Sequence, residues 1–231
     1  MAMHTLTLPD GAMNSLVVHP TKPRGGAVIV IQEIFGVNAP LRAACDMVAD
    51  MGFTAVAPDL FWRLGDGIDL DSQNQSSFQE ALALLNRFDQ SAGIADLKAA
   101  VAFARSLPGT NGKVGTIGFC LGGRLAMMMA QHSDADINVS YYGVGLDTLL
   151  DRLDAIHAPL LLHVAGEDGF FPPAGRAALL NAVAGHPNIQ AWNYPGADHA
   201  FARVGGAHYD GLMARIAHGR TAAALAAALA A

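Results

Sequence analysis

The sequence predicts an α/β protein with a mostly parallel, doubly wound sheet and helices on both faces. Residues 27–31 form a short, continuous and largely β-branched run, which is typical of a strand buried on both faces. From that run onward, strand-like and helix-like segments alternate, as they do around parallel sheets. No repeat, linker or break in composition interrupts the pattern, so residues 1–231 are predicted to form a single domain.

Turn signals and hydrophobic periodicity predict the individual elements. Two strand-like segments, 6–8 and 15–18, flank the turn sequence at 9–11 and predict an N-terminal hairpin. Residues 61–75 are polar and contain glycines, so they are predicted to be a long connection. Further strands are expected at 27–31, 54–57, 113–118, 137–142, 159–164 and 189–194, and helices at 40–51, 77–88, 91–106, 122–131, 174–184 and from about 207 to the end.

Composition and charge narrow the range of functions. The chain has 52% hydrophobic and 15% charged residues and a formal net charge of −6, which argues against disorder and against nucleic-acid binding. The N-terminus lacks a signal-peptide pattern and every apolar stretch is short, so we expect a cytoplasmic protein that does not bind membranes. The two cysteines and the scattered histidines lack metal-ligand spacing, so no metal or other cofactor is expected. No long apolar helix is left over for an interface, which favours a monomer.

The strongest chemical signal is the Gly-Phe-Cys-Leu-Gly-Gly motif at residues 118–123. It lies between a predicted strand and an apolar helical run, and it has the pattern of a nucleophile elbow with Cys120 in the nucleophile position. The helix N-terminus favours a thiolate, and the backbone N–H of Leu121 can face an oxyanion. Taken alone, the motif is equally compatible with a glycine-rich turn around a buried structural cysteine. A nucleotide-binding loop is disfavoured because no Lys-Ser or Lys-Thr pair follows the glycines.

The order of the next polar residues supports the catalytic interpretation. Asp168 follows the seventh predicted strand and His199 follows the eighth. A nucleophile, an acid and a histidine in this order at strand ends are typical of the α/β-hydrolase fold. His199 would accept the thiol proton and later activate water, while Asp168 would hold the imidazole in one tautomer. The neighbouring acids Glu167 and Asp198 remain alternatives for the acid.

With these residues identified, the sequence resembles the dienelactone hydrolase family, of carboxymethylenebutenolidase-like enzymes, over nearly the whole chain. Several independent motifs carry the resemblance and occur in the expected order. They are Gln32–Gly36, Ala57–Leu60, Gly118–Gly123, Tyr141–Gly145, Gly166–Asp168 and His199–Arg203. The resemblance implies an enzyme that hydrolyses a small-molecule ester or lactone without a cofactor, through a thioester acyl-enzyme on Cys120.

The resemblance also implies roles that spacing alone does not show. Glu33 matches a glutamate that interacts with the resting thiol and helps convert it to a thiolate when substrate binds. The backbone N–H of Ile34 matches a second oxyanion donor beside that of Leu121. Arg203 matches an arginine that binds the carboxylate of the substrate. Without the resemblance, Glu33 and Arg203 would be interpreted as an exposed loop carboxylate and a surface arginine.

The sequence departs from the family in its expected substrate-binding residues. Family members that act on dienelactone carry a further arginine, with a tyrosine four residues later, where this chain has Phe78 and Leu82. No arginine lies between Arg63 and Arg87. We therefore hypothesise weaker activity on dienelactone, or a less polar preferred ester. The aromatic residues expected to wall the pocket are Phe35, Trp62, Phe78, Tyr142, Phe170 and Phe201.

One alternative comes from another functional class. The chain could be a non-catalytic member of the fold that binds a small hydrophobic ligand, or that senses oxidants through Cys120. The presence of Glu33, Asp168 and His199 together argues against this alternative, because a binding protein needs none of them. The remaining cysteine, Cys45, is expected to be a small buried hydrophobe, and the methionines at 127–129 are expected to pack in the core.

Overall fold

A hairpin at the start of the chain forms one edge of the sheet. The computed structural model describes residues 1–230. In it, β1 (Ala2–Leu8) and β2 (Gly11–Val18) pair antiparallel through the tight turn that the sequence predicted. β1 is the outer strand, and β2 joins the hairpin to the rest of the sheet.

Six further strands complete an eight-stranded, mostly parallel sheet with the order β1-β2-β4-β3-β5-β6-β7-β8. β2 pairs antiparallel with β4, and the pairs from β4 across to β8 are all parallel. The predicted sheet is confirmed, and the bounds of each parallel strand lie within one residue of those predicted. These strands are β3 (Ala27–Ile31), β4 (Thr54–Pro58), β5 (Val114–Phe119), β6 (Ile137–Tyr141), β7 (Leu160–Ala165) and β8 (Ile189–Tyr194).

Residues 1–230 contain six α-helices, five between strands and the sixth after β8. Four of them begin at an Asn or Asp whose side chain accepts hydrogen bonds from the free N–H groups of the first turn, namely Asn38, Asn74, Asp89 and Asp210. Within residues 1–230, none of the helices is long and apolar enough to cross a membrane. The helices are α1 (Ala39–Asp50), α2 (Gln75–Arg87), α3 (Gln90–Arg105), α4 (Leu121–His132), α5 (Pro173–Val183) and α6 (Gly211–Leu229).

The helices cover both faces of the sheet, as predicted. Successive residues of β3 point to opposite faces: Val28 and Val30 pack with α1 and α6, while Ile29 and Ile31 pack with α3 and α4. The strands near β7 pack against α4 and α5. Cys45 is fully buried in α1, which confirms that it is a core residue. The methionines at 127–129 also pack against the core, as expected.

Three segments differ from the prediction. Both hairpin strands begin four residues earlier than predicted, at Ala2 and Gly11. Leu146–Ala155 forms a 3-10 helix that the sequence analysis missed, although its leucines recur at helical spacing. α6 begins at Gly211 instead of about residue 207. The cause is local: the Asp210 carboxylate accepts hydrogen bonds from the first turn of α6, and the Asp210 N–H donates to the carbonyl of Phe201. The residues before Asp210 are therefore held in turns.

The parallel strands bring several loops to one edge of the sheet. β3, β5, β6, β7 and β8 run in the same direction, so their carboxyl ends lie side by side. The segments that follow these strands contain Glu33, Cys120, Tyr142, Asp168 and His199. Functional groups of open parallel sheets collect at this edge. The topology therefore assembles the predicted site residues before any side-chain contact is considered.

Candidate active site

Cys120 occupies the tight turn between β5 and α4. Its backbone has φ 55 and ψ −114, a combination that is costly for a residue with a side chain. The turn closes only because its glycines lack side chains: a Cβ at Gly118 would overlap the carbonyl group of Gly122. This strained turn holds Cys120 half-buried at the N-terminus of α4, where the helix dipole favours an anion.

The same turn packs directly on the end of β3. Gly118 pairs with Ile31, and a Cβ at Gly122 would overlap the Ile31 carbonyl oxygen. This close approach brings the start of α4 beside the chain that leaves β3 towards Ile34. The N–H of Leu121 belongs to the first residue of α4, where helix geometry provides no intrahelical acceptor. The two predicted oxyanion donors, Leu121 and Ile34, therefore lie on neighbouring segments at one edge of the sheet.

His199 and Asp168 form a buried pair. Nδ1 of His199 lies 2.9 Å from Oδ2 of Asp168, and the residues are 8% and 3% exposed. The other carboxylate oxygen of Asp168 accepts a hydrogen bond of 2.8 Å from the N–H of Phe170. Glu167 is exposed, and Asp198 pairs with His208. The structure thus places Asp168, of the three candidate acids, on the His199 ring.

The surroundings of His199 favour its charged form. Burial alone lowers the pKa of a histidine, but attraction to Cys120 and the hydrogen bond to Asp168 outweigh that effect and raise the pKa of His199 well above its usual value. A raised pKa suits an imidazole that receives a proton while a negative charge remains beside it.

Glu33 and Arg203 bind each other in the structure. Nη1 of Arg203 donates to Oε2 of Glu33 at 2.9 Å, and their side chains are only 15% and 9% exposed. Oε1 of Glu33 and Nε of Arg203 are buried without a hydrogen-bond partner among residues 1–230. The sequence analysis expected Glu33 to contact the thiol and Arg203 to bind a substrate carboxylate. In this structure each charge is instead neutralised by the other.

Four of the six predicted pocket aromatics lie close to this site. The rings of Tyr142 and Phe170 meet the ring of His199 edge-on, with centroid distances of 5.2 and 4.9 Å. Phe35 lies below the guanidinium of Arg203, at 5.6 Å, and Phe78 packs against Phe35, at 6.4 Å. Phe78, which stands where the family has its further arginine, thus supports an aromatic ring that itself contacts Arg203.

The other two aromatics make their contacts with other partners. The indole N–H of Trp62 donates to Asp96 at 3.0 Å, and Arg63 stacks on its ring. Phe201 is fully buried between Tyr142 and Tyr194. Aromatic residues are identified in a sequence by hydrophobicity alone, which does not separate a pocket wall from the core. The assignment of Trp62 and Phe201 to the pocket wall stays a prediction.

A cavity of about 210 Å³, called here the α1 cavity, opens beside Glu33, Tyr142 and Arg203. Sequence analysis missed it because its walls come from α1, the segment at 202–209 and α6, whose residues resemble ordinary helix and loop residues. Its lining shares Glu33, Tyr142 and Arg203 with the site described above. The remaining lining residues are Asn38, Pro40, Leu41, Ala43, Ala44, Met47, Phe119, Ala202, Val204, Tyr209 and His218.

The described side chains contain no group suited to a metal ion. Across residues 1–230, His, Cys, Asp and Glu never gather in a set of three or more that could hold one. The pair of Asp168 and His199 is short of that number. The candidate site consists of Cys120, His199 and Asp168, together with the ion pair of Glu33 and Arg203.

The fold and the order of these residues define the class of the protein. An eight-stranded, mostly parallel sheet carries a nucleophile position at a strand-to-helix elbow, an acid after β7 and a histidine after β8. This arrangement defines an α/β-hydrolase.

Comparison with known proteins gives the family. The sequence profile of the dienelactone hydrolase family matches residues 13–229. A relative from Azospirillum brasilense is 45% identical over 96% of this chain and 97% of its own length. The carboxymethylenebutenolidase of Pseudomonas putida is 39% identical, covering 91% of this chain and 90% of that protein. The chain belongs to the dienelactone hydrolase family, as the resemblance in the sequence indicated, and is an enzyme of its hydrolase type.

Solved structures agree with this assignment. A protein from Klebsiella pneumoniae, described provisionally as a dienelactone hydrolase, superimposes with a TM-score of 0.84. It is 27% identical in sequence, and the match covers 97% of both chains. The dienelactone hydrolase of Anabaena variabilis, at 18% identity and a TM-score of 0.73, shares the fold.

Proposed function

We propose that this protein hydrolyses a small ester or lactone through Cys120, His199 and Asp168, with a thioester acyl-enzyme as intermediate. The observation that carries the proposal is the buried 2.9 Å contact between His199 and Asp168, next to a cysteine held at a strained elbow. Relatives in Pseudomonas putida and Cupriavidus pinatubonensis are named carboxymethylenebutenolidases. A lactone of that type is accordingly one candidate substrate.

The first chemical step forms the acyl-enzyme. The thiolate of Cys120 attacks the carbonyl carbon, a carbon–sulfur bond forms, and the electron pair of the carbonyl bond moves to oxygen. When that oxyanion collapses, the carbon–oxygen bond to the leaving group breaks. The leaving alkoxide takes the proton from the imidazolium of His199, so an alcohol is released from an ester. A lactone opens in the same way, and its hydroxyl stays attached to the acyl group.

The second step releases the acid. Neutral His199 removes a proton from water, and the water oxygen attacks the thioester carbonyl carbon. Collapse of the second oxyanion breaks the carbon–sulfur bond and regenerates the Cys120 thiolate beside a protonated His199. Asp168 accepts a hydrogen bond from Nδ1 throughout, which keeps Nε2 directed at the reacting atoms and stabilises the positive ring.

The negative oxygen formed in each step needs hydrogen-bond donors. The N–H groups of Leu121 and Ile34 are the proposed donors, because they belong to neighbouring segments beside Cys120. Fixed backbone donors of this kind are worth about 3 kcal/mol each to a transition state. The pair of Glu33 and Arg203 has a second proposed role: it keeps the carboxylate neutralised near the thiolate, since two unpaired negative charges at close range repel each other.

Substitution of the nucleophile tests this proposal. Wild-type protein is expected to turn over dienelactone or p-nitrophenyl acetate many times without added reductant, and Cys120→Ala is expected to lose roughly 10⁴-fold or more of kcat. The matched control is Cys45→Ala, which removes the other cysteine of the chain from the core and should keep the cysteine-dependent activity. Product formation is followed by absorbance.

Two results would contradict the proposal. Equal turnover by wild type and Cys120→Ala would remove the cysteine from the mechanism. A single stoichiometric reaction, with no further turnover, would instead support a protein that senses or binds through Cys120.

A further inference from the structure

We propose that the α1 cavity binds the acyl group of the substrate, and that this group is an uncharged hydrocarbon of about six carbons. The inference rests on the proposed hydrolase function and names the substrate class of the same site. It adds a binding subsite on α1, whose lining includes Glu33 and Arg203 but not Phe35 or Phe78.

The cavity is lined by residues that adjoin Cys120 and His199, although neither of these two lines it. Tyr142 forms part of its wall and also packs edge-on against the catalytic ring of His199, at 5.2 Å. Phe119, which immediately precedes the nucleophile, forms another part of the wall. A group attached to the carbonyl carbon at Cys120 can therefore reach the cavity without passing through the core of the protein.

The position of the general acid determines which half of the ester faces the cavity. The leaving alkoxide must lie against His199, because that ring gives it a proton. His199 and its neighbour Phe170 lie outside the lining of the cavity, while Glu33 and Arg203 lie inside it. The leaving group is thus directed towards Phe170, and the acyl group extends in the other direction, into the cavity.

The cavity walls favour an uncharged group. Leu41, Ala44, Met47 and Phe119 present hydrocarbon surface. Arg203 is the single Lys or Arg among the described lining residues, and its guanidinium is already neutralised by Glu33. A carboxylate placed here would lose its water and would have to displace Glu33 from Arg203, which leaves a nearly buried carboxylate unpaired and is unfavourable.

The histidine in the wall does not change this conclusion. Burial lowers the pKa of His218, which keeps the ring neutral, and its Nδ1 contacts the hydroxyl of Tyr141 at 3.0 Å. The charged and titratable groups that face the cavity are thus Glu33, Arg203, Tyr142, Tyr209 and His218. None of them offers an unpaired positive charge to an acid.

The volume limits the size of the group. A dry cavity of roughly 150 Å³ lined by apolar side chains holds a benzene molecule. The 210 Å³ available here therefore accommodates a phenyl ring or a chain of about six carbons. Val204 and Tyr209 in its lining are 64% and 41% exposed, so a chain that extends past them would reach solvent and gain little.

A series of p-nitrophenyl esters tests the subsite, because the leaving group stays constant while the acyl chain grows. For wild type, kcat/KM is expected to rise about ten- to hundredfold from acetate to hexanoate, since each buried methylene adds affinity. The p-nitrophenyl monoester of glutaric acid has a similar length and a terminal carboxylate. It is expected to react at least about tenfold more slowly than the hexanoate.

Variants of α1 locate the effect. Ala44→Phe fills the cavity and should lower the hexanoate-to-acetate ratio at least tenfold, while Met47→Ala enlarges it and should move the optimum to a longer chain. Ala39→Phe is the matched control, because Ala39 is an exposed residue of α1 outside the lining. The ratio should be unchanged in this control. Because Met47→Ala introduces no bulky group, it keeps the test valid if Ala44→Phe folds poorly.

Three outcomes overturn the inference while leaving the hydrolase proposal intact. The first is a flat chain-length profile in an enzyme that depends on Cys120. The second is an equal loss for both esters in Ala44→Phe together with an unchanged optimum in Met47→Ala. In the third, Ala44→Phe impairs 1-naphthyl acetate more than p-nitrophenyl acetate, which would place the alcohol half in the cavity. Hydrolysis that survives Cys120→Ala, or no hydrolysis at all by wild type, removes the proposed function and this inference together.

Discussion

Two buried histidines, His199 and His163, lie near the ends of adjacent strands and have opposite properties. His199 is 8% exposed and has a carboxylate 2.9 Å from one ring nitrogen. His163 is 1% exposed, and its ring nitrogens contact the hydroxyls of Tyr194 at 2.8 Å and Thr221 at 2.9 Å. The pKa of His199 is raised, whereas burial lowers the pKa of His163 to about 3.

The difference shows that burial does not identify a catalytic histidine. Burial lowers the pKa of both rings, and only a negative partner reverses the effect. Around His163 the partners are neutral hydroxyls, and the positive charge of Arg220 nearby lowers its pKa further. His163 is therefore held neutral as a part of the core, while His199 is prepared to carry a proton.

Of the changes predicted here, removal of the carboxylate beside His199 should have the largest effect. Asp168→Asn keeps the size of the side chain but loses its charge, and we expect kcat to fall about 10³- to 10⁴-fold. The pKa of His199 should also fall, which is measured by NMR titration. The control is Glu167→Gln, which changes an exposed acid one residue away and should have little effect on kcat. A similar loss in both variants would show that general charge, and not the contact with His199, is responsible.

Glu33 is a second nearly buried group that has an oppositely charged partner, in this case Arg203. Arg203→Ala leaves a nearly buried carboxylate without its partner, and we expect the free energy of unfolding to fall by about 3 kcal/mol. Arg42→Ala is the control, because its pair with Asp69 is exposed and should contribute less than about 1 kcal/mol. Both are measured by urea denaturation.

A second substitution sharpens this result. If the loss comes from the unpaired charge, adding Glu33→Gln to Arg203→Ala should restore part of the stability. An equal or larger loss in the double variant would mean that packing of the arginine side chain, and not its charge, stabilises the site.

The smallest effect is expected for substitution of His163, and it appears only in how the free energy of unfolding depends on pH. In the unfolded chain this imidazole takes up a proton near pH 6.5, but in the folded protein it does so only near pH 3. The unfolded state therefore binds more protons between these values, and stability falls as the pH falls through that window. His163→Gln has no such imidazole. Between pH 7 and pH 4.5, the free energy of unfolding of wild type should therefore fall by about 2–3 kcal/mol more than that of the variant.

Urea denaturation at the two pH values measures the shift. His19→Gln, at an exposed position, is the control and should show no comparable change. A gap that stays constant with pH would mean that His163 takes up a proton as readily in the folded chain as in the unfolded one.

The sequence was sufficient for the sheet and for the catalytic candidates. Parallel strands buried on both faces appear as continuous apolar runs, which is why their bounds were predicted to within one residue. The elbow carries its own signature, since only glycine fits at Gly118 and Gly122. The order of Cys120, Asp168 and His199 then follows from the direction of the strands.

Contacts between distant segments could not be predicted from the sequence. Nothing in the local pattern shows that Glu33 binds Arg203 or that Trp62 binds Asp96, because these partners are far apart in the chain. The α1 cavity is likewise a gap left between two helices and a loop. Such gaps depend on packing, which a single sequence does not display.

The overlap that any side chain at Gly118 would make with Gly122 has a consequence for how such enzymes diverge. The proposed nucleophile depends on a backbone shape that tolerates no change at these glycines. Five of the residues that line the α1 cavity belong instead to α1, and their side chains can be replaced without disturbing that backbone. A lineage can therefore acquire new substrates one α1 residue at a time while every intermediate keeps its nucleophile. The nucleophile turn and the α1 residues that determine substrate preference can therefore change separately.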